Sequence, residues 1–238
     1  MPRYLTFHLY APLGAFGDVA PGEVRGTDLT PSRSAILGLL AAALGVNRED
    51  PRLFQLRDEL GMAFRTHLGN DTLRDYQTIH TPNTGSAKIK PLQISRKHQL
   101  AAFKIETTIS PRTYLQDPVI TAAVWSRKDE PQTLKDLQAA LKRPKWSLYL
   151  GRRNCTLAHP IDPRIVEADT IEAVFSENPV PEHLASLCQN DPILTWDADA
   201  KTNLKPARTI QRRDHVLPKR RFQIRTEYMA TSFTGDQE

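Results

Sequence analysis

Cysteine and long apolar runs are both scarce in this sequence, and their scarcity excludes several classes of protein. Only two of the 238 residues are cysteine, Cys155 and Cys188, and neither belongs to a four-ligand cysteine–histidine pattern. We therefore expect no zinc site, no disulfide scaffold and no cofactor. The longest uncharged apolar run, 35–46, is shorter than the ~20 residues of a membrane-spanning helix. The start has no signal pattern, so the sequence predicts a cytoplasmic protein without membrane contact.

Acidic residues are rare in three stretches of the chain, although the formal net charge is only +5. Segments 88–104 and 142–153 contain five basic residues each and no acid, and 205–225 contains eight basic residues and one acid. By contrast, 162–182 contains six acids and one arginine. Charge separated in this way predicts a basic surface that binds a polyanion. The acidic stretch is then available for a protein neighbour.

The segment 149–160 contains the densest cluster of candidate binding residues. Here a strand-like run that includes Tyr149 ends at Gly151 and is followed by Arg152, Arg153 and Asn154. The planar guanidinium of arginine binds phosphate and stacks on bases, so the arginine pair indicates a nucleic-acid contact. A solvated surface turn is the alternative interpretation.

A second candidate lies near the N-terminus, where a glycine-containing turn at 11–18 leads through Arg25 to a predicted helix start. Thr30 is expected to cap this helix, with Pro31 at its first position. The unpaired backbone N–H groups at a helix start carry partial positive charge. We expect them to form a phosphate cradle together with Ser32, Arg33 and Ser34. An ordinary capped helix is the alternative interpretation.

Local patterns along the chain predict an α+β fold. Helices are expected over 31–46, 50–61, 131–141 and 169–175, strands over 4–10, 62–68, 75–81, 119–125 and 147–150, and a late hairpin over 209–228. Two strand–helix–strand runs with an inserted hairpin predict an RRM-like (ferredoxin-like) domain. The aromatic pattern of ordinary RRM strands is missing, so we do not expect bases to stack on the sheet face.

Four blocks of residues, spread over nearly the whole chain, form a pattern that no single block would establish. They are Ala15-Phe16-Gly17, then 30–34 followed by 36–40, then 74–78 with 114–117, and finally 149–160. Together they resemble the CasD family, the RAMP-superfamily subunits of type I-E CRISPR Cascade complexes. The resemblance implies a single RAMP domain over 1–238, with a protruding β-hairpin thumb at about 79–112 and a basic C-terminal extension at about 205–228.

The same resemblance implies a function and a set of partners. A CasD protein binds and caps the 5′ handle of the CRISPR guide RNA, and it contacts the backbone subunit CasC and the large subunit CasA. Target DNA would be met only indirectly. By this resemblance the RNA-binding residues are Phe16, Gly17, Arg25, Ser32, Arg33, Ser34, Tyr149, Gly151, Arg152, Arg153 and Asn154, with Lys88, Lys90, Arg96, Lys97 and His98 in the thumb.

Two interpretations stay open for Phe16, which stands where relatives commonly have tryptophan. Its ring could stack on a base, with less area than an indole, or it could be a core aromatic beside a glycine turn. The sequence alone supports both equally.

Catalysis has to be weighed as well, because the related subunit of type I-C systems is an endoribonuclease. Metal-independent RNA cleavage needs a base, usually histidine or tyrosine, and a cation near the phosphate. Lys97 and His98 offer such a pair, but we expect a phosphate contact there, and we interpret His159 as a structural hydrogen-bonding residue. We therefore expect a non-catalytic RNA-binding subunit, with a metal-independent endoribonuclease that processes repeat RNA as the alternative.

Overall fold

Strands and short helices alternate along the chain, and their bounds are defined for the described residues. The structure is a computed structural model, and it describes residues 1–17, 22–69, 71–82, 95, 97, 105–128, 130–188 and 190–231. The helices are α1 (Arg33–Leu44), α2 (Pro51–Glu59), α3 (Pro131–Lys142), α4 (Ile171–Glu177) and α5 (Glu182–Ala185). The strands are β1 (Arg3–Tyr10), β2 (Leu13–Gly14), β3 (Leu60–His67), β4 (Thr72–Pro82), β5 (Ile105–Gln116), β6 (Val119–Ser126), β7 (Arg164–Glu167), β8 (Ile193–Asp197), β9 (Arg208–Leu217) and β10 (Arg221–Ala230).

Seven of these strands form one sheet in the order β7-β1-β6-β3-β8-β10-β9, and every neighbouring pair is antiparallel. The unit β1–α1–β3 and the unit β6–α3–β7 interleave, because β6 lies between β1 and β3. Strands β9 and β10 form the hairpin that the sequence predicts near the C-terminus. The fold is therefore a mixed α/β fold built mainly on an antiparallel sheet.

Both faces of the central strands are covered. Successive side chains of a strand point to opposite faces. Along β1, Leu5, Phe7 and Leu9 belong to the core that includes α1 and α3, whereas Tyr4 packs in a second cluster with Phe175 of α4. An RNA base could not reach this part of the sheet without displacing a helix. This agrees with the expectation that bases do not stack on the sheet, which followed from the missing aromatic pattern of RRM strands. In the described residues, no helix is both long and apolar enough to cross a membrane.

A second sheet of order β2-β5-β4 contains the long ribbon of β4 and β5. The two strands pair without interruption from Thr72 opposite Leu115 to Pro82 opposite Ile105. The predicted thumb at about 79–112 includes the outer part of this ribbon. Of the residues between the two strands, the structure describes only 95 and 97.

The N-cap of helix α1 lies two residues later than expected. Ser32 is the N-cap, and its hydroxyl accepts a hydrogen bond from the N–H of Ala35 at 3.2 Å. Thr30 is instead buried, and its hydroxyl accepts a hydrogen bond from the Arg212 guanidinium at 3.1 Å. The prediction of Thr30 as the cap is therefore wrong, because a partner far along the chain occupies its side chain.

Buried ion pairs join the start of α1 to strands β8, β9 and β10. Arg33 lies at the centre and binds Asp197 at 3.1 Å, while its backbone N–H donates to the Asp214 carboxylate at 2.7 Å. Arg225 binds Asp197 and Asp214 at 3.0 and 2.6 Å, and Arg212 binds Glu227 at 2.8 Å. Two arginines of the basic segment 205–225 are thus neutralised inside the fold. The charge of that segment overstates the positive charge on the surface.

The expected strand over 147–150 is not formed. The chain makes only an isolated bridge between Tyr149 and Thr156, and the residues between them form a turn. Gly151 has a φ of +86°, and a Cβ at this position would lie 1.7 Å from the carbonyl oxygen of Ala15. This close approach requires glycine, and it ends the extended run before a strand can develop.

Candidate nucleic-acid interface

Four segments meet at one junction: the glycine turn at 11–17, the loop with Arg25, the part of β5 around Thr113, and the arginine turn after Tyr149. The N–H of Ala15 donates to the carbonyl of Leu150 at 3.1 Å, which joins the glycine turn to the arginine turn. The N–H of Arg25 donates to Pro111, and the N–H of Thr113 donates back to Arg25, at 2.8 and 2.9 Å. The tertiary structure thus brings together residues that are up to 135 positions apart in the chain.

Arg152 holds this junction together. Its guanidinium donates hydrogen bonds to the carbonyls of Thr113, Arg25 and Gly26 at 3.0, 3.0 and 3.2 Å. It also lies over the ring of Tyr114, 4.6 Å from the ring centroid. These partners are all neutral, so the bonds fix the side chain without cancelling its charge. Arg152 therefore organises the junction and adds a positive potential there.

The turn after Gly151 presents Arg153 and Asn154 to solvent. The Asn154 amide donates to the Tyr114 hydroxyl at 3.1 Å. For Arg153, neither a hydrogen bond nor an ion pair is found within the described parts of the chain. Its donors are available for a ligand, in contrast to those of Arg152.

A cleft of about 960 Å³ lies between α1, the start of α2 and the segment 146–153. Four of the candidate residues line it, namely Ser34, Tyr149, Gly151 and Arg153. Ser34 comes from the first turn of α1, and the other three come from the arginine turn. The structure therefore brings the helix start and the arginine turn to one concave surface.

Three candidate residues, Phe16, Ser32 and Arg33, are buried and do not line this cleft. The ring of Phe16 is 1% exposed and belongs to the main core, so the core interpretation holds and a stacking role is excluded in this arrangement. Arg33 is 2% exposed, and its guanidinium donates to Asp197 and to the carbonyls of Arg57 and Leu60. The prediction that Arg33 binds phosphate is wrong for this arrangement, because its donors are already occupied by protein acceptors.

The helix start is also less available than expected. Ser32 is 7% exposed and caps the helix, and the first backbone N–H is occupied by Asp214. Burial lowers the pKa of the Arg33 guanidinium, and the Asp197 charge opposes that effect. Only Ser34 of the expected cradle lines the cleft, and its hydroxyl shares a 3.1 Å hydrogen bond with Ser32.

The other candidates that the structure describes do not line the cleft. Gly17 and Arg25 are exposed on the neighbouring loop, where the Arg25 guanidinium donates to the Gly22 carbonyl at 2.6 Å. Of the thumb candidates, Lys97 is exposed. Lys88, Lys90, Arg96 and His98 lie outside the described residues.

Sequence reasoning missed three residues that line the cleft, namely Gly38, Arg48 and Trp146. Trp146 is 44% exposed and follows Lys145 in the acid-free segment 142–153, so an aromatic inside a basic stretch was the available signal. Gly38 is exposed on α1, and a Cβ added there would meet nothing within 4 Å. The cleft also contains Glu49 and Asp50, whose carboxylates reduce its positive charge.

The histidines that the structure describes do not line the cleft. Burial is the main cause that lowers the pKa of His8 to about 4, so its imidazole is neutral at pH 7. His159 shares a 3.1 Å hydrogen bond with His183, and its interpretation as a structural residue stays a prediction. Burial and the neighbouring His183 lower the pKa of His159. Among the described residues, no three histidine, cysteine or acidic side chains could jointly hold a metal ion.

Comparison with known proteins agrees with the resemblance found in the sequence. The CRISPR system Cascade subunit CasD of Escherichia coli (strain K12) is 28% identical over 217 residues, which make up 82% of this chain and 91% of that protein. One chain of a CRISPR RNA-guided surveillance complex has a similar fold, with a TM-score of 0.62 and 24% identity, covering 95% of this chain and 90% of that one. A crystal structure of a Cas protein gives a TM-score of 0.59 and 22% identity, with coverages of 95% and 92%. A family model described as CRISPR-associated protein (Cas_Cas5) matches residues 4–231, and this protein therefore belongs to that family.

Proposed function

We propose that this protein is a non-catalytic subunit of a CRISPR Cascade complex that binds and caps the 5′ handle of the guide RNA. The observation that carries the proposal is the cleft of about 960 Å³ that Ser34, Tyr149, Gly151 and Arg153 line together. A relative of this chain is named a Cascade subunit, and a structural neighbour belongs to an RNA-guided surveillance complex. Arg153 supplies a guanidinium for phosphate, and Arg152 adds positive potential next to it.

The fold supports the same proposal. The order β7-β1-β6-β3, with its two interleaved strand–helix–strand units, is the arrangement expected of an RRM-like RAMP domain. The β4–β5 ribbon would form the base of a thumb whose outer part carries the basic residues of 88–104. Since helices cover both faces of β1, RNA would follow the cleft beside α1 rather than the sheet.

Binding without cleavage fits the chemistry of the cleft. Within the described residues, the cleft lining contains no histidine, and the side chains there that could act as a base are those of Tyr149, Glu49 and Asp50. The test is incubation of the purified protein with repeat RNA in the absence of metal, followed by gel analysis. Intact RNA is expected. Specific cleavage that disappears in Tyr149→Phe or His98→Ala would establish the endoribonuclease instead.

The proposed partners are the backbone subunit CasC and the large subunit CasA, with target DNA met only through the assembled complex. Five of the six acids of the 162–182 stretch are exposed. Glu167 and Asp162 bind Arg3 and Arg164, and the other three, Asp169, Glu177 and Glu182, suit a basic protein surface. A tagged copy in its native host should co-purify with these subunits and with guide RNA. Recovery as an RNA-free monomer would contradict the assignment to a complex.

Gly38 allows a direct test of the cleft. A Cβ added here meets nothing within 4 Å, and Gly38 itself lines the cleft, so we expect the fold to tolerate a side chain at this position. Replacing a glycine inside a helix also favours the helix, by about 0.5–1 kcal/mol. Three variants separate size from charge: Gly38→Ala leaves the cleft open, Gly38→Gln fills it, and Gly38→Glu fills it and repels phosphate.

Affinity for handle RNA, measured by fluorescence anisotropy, is expected to fall in the order alanine, glutamine, glutamate. The glutamate variant should bind at least about tenfold more weakly than wild type, which corresponds to ~1.4 kcal/mol. Thermal unfolding of all three variants should match or exceed that of wild type. Equal RNA affinity in Gly38→Glu and Gly38→Ala would remove the cleft from the RNA site.

A further inference from the structure

Trp146 differs from the other two tryptophans of the chain. Its side chain is 44% exposed, whereas Trp125 and Trp196 are 8% and 4% exposed. An exposed indole is unusual in a soluble protein, because most of its large apolar surface is normally removed from water. This indole lines the proposed RNA cleft, where an apolar ligand surface could cover it.

The backbone holds Trp146 in position. The N–H groups of Lys145 and Trp146 donate to the carbonyls of Ala43 and Ala42, at 3.0 and 3.3 Å. These carbonyls belong to the last turn of α1, and that of Ala42 also accepts the N–H of the C-cap residue Gly45. Both bonds are made by the main chain, so they persist when the side chain of Trp146 is changed.

The stem of Lys145 adds a second restraint. It packs against Gly45, where an added Cβ would lie only 2.5 Å from the lysine Cδ. Trp146 is therefore anchored at the end of α1, and its ring does not lie on an unrestrained loop. An anchored aromatic ring loses little conformational entropy when a ligand packs on it.

The surroundings of the indole suit a nucleotide. The facing part of α1 contributes small residues, Gly38 and Ala42, which leave room for a planar ring. Arg48 and Arg153 are exposed at the same cleft and can bind phosphate. Glu49 also lines the cleft, and its negative charge reduces the electrostatic attraction of RNA. The apolar contact with the indole therefore contributes a larger share of the binding free energy.

We propose that Trp146 stacks on one unpaired base of the bound RNA, so that the cleft selects single-stranded RNA. The proposal rests on the proposed function, because it names the contact within the same cleft. In a duplex the base faces are covered by neighbouring pairs, and the indole cannot reach them. Stacking tolerates any base, so Trp146 requires that a base is present without specifying its identity.

The test is a double-mutant cycle between the protein and the RNA. The protein is wild type, Trp146→Ala or Trp146→Tyr, and the probe is the 5′ end of the host guide RNA, either intact or with an abasic site at one position at a time. Loss of a base stack typically weakens binding about 5- to 150-fold. We expect Trp146→Ala to lose about tenfold within that range, and Trp146→Tyr to retain most of the affinity.

One abasic position should weaken binding to wild type by a similar factor and have no further effect on Trp146→Ala. If the factors by which Trp146→Ala and the abasic site each weaken binding simply multiply at every RNA position, the two act independently and stacking is refuted. Annealing the probe to a complementary strand should abolish the advantage of wild type over Trp146→Ala. An advantage that persists on the duplex would contradict selection of single strands.

Tryptophan fluorescence provides an independent readout, since the other two indoles are buried. Addition of the RNA should quench the emission of wild type and leave that of Trp146→Phe almost unchanged. Failure of the two proposals can be told apart. If the cleft does not bind RNA, Gly38→Glu will bind like wild type. If only stacking is wrong, Gly38→Glu will bind weakly while Trp146→Ala binds like wild type.

Discussion

Replacement of Arg33 by methionine is expected to lower stability and leave the RNA contact intact. The sequence places Arg33 in a serine-flanked helix start, where it resembles a phosphate ligand. In the fold its side chain is 2% exposed and binds Asp197 at 3.1 Å. The same substitution therefore separates a structural arginine from an RNA-binding one.

The expected loss of stability follows from the partners of Arg33. Removing one member of a buried ion pair costs about 3–5 kcal/mol when the other charge is left alone. Asp197 is not left alone, because Arg127 and Arg225 bind it at 2.9 and 3.0 Å. The buried carbonyl of Leu60 and the part-buried carbonyl of Arg57 do lose their donor, at about 1–3 kcal/mol for the buried one and less for the other. We expect the free energy of unfolding to fall by about 3 kcal/mol in total.

Urea unfolding followed by circular dichroism measures this loss, with Arg33→Lys as the matched control. Lysine keeps the charge but cannot reach three acceptors at once, so its loss should be smaller than that of methionine. RNA affinity of each folded variant should stay within about twofold of wild type. A structural role for Arg33 is refuted if Arg33→Met unfolds like wild type but binds RNA weakly with a reduced salt dependence.

Two further predictions concern the arginine turn and the response to pH. Arg153→Ala should weaken RNA binding and reduce the slope of log affinity against log salt concentration by about 0.7. Arg152→Ala should mainly destabilise the fold, by about 2 kcal/mol, because three hydrogen bonds are lost. A change of the salt slope in Arg152→Ala alone would mean that Arg152, and not Arg153, contacts the RNA. Burial lowers the pKa of His8 from 6.5 to about 4, so between these values the unfolded chain binds a proton at His8 and the folded chain does not. The free energy of unfolding should therefore fall by about 3 kcal/mol as the pH drops from 7 to 4. Thermal unfolding of His8→Gln across this range should show a shallower decline, and an identical decline would exclude His8 as the cause.

Local patterns predicted most of the elements correctly. Helix α1, expected over 31–46, spans Arg33–Leu44, and β6 spans Val119–Ser126 where 119–125 was expected. Apolar periodicity and nearby caps determine such elements, and both are local properties of the chain. The short strands β7 and β8 were not predicted, because each pairs with a strand far away in the sequence and carries little signal of its own.

The candidate site was predicted less completely than the fold. The sequence indicated the helix start and the arginine turn as two separate candidates, and the structure shows that Ser34 and Arg153 from these segments line one cleft. It could not tell Arg152 from Arg153, since the two residues are chemically identical neighbours. It also passed over Trp146, whose exposure depends on the way the end of α1 anchors the following segment.

Composition and order of residues by themselves determined the α+β class, the basic character of the surface segments and the family resemblance, because these depend on patterns within short windows and on the residues themselves. Only the tertiary structure decided which cations face solvent. Arg33 meets Asp197 and Asp214 across 164 and 181 positions, and Arg212 meets Thr30 across 182. Whether an arginine binds a phosphate or a buried carboxylate depends on such distant partners, and the local sequence does not contain them.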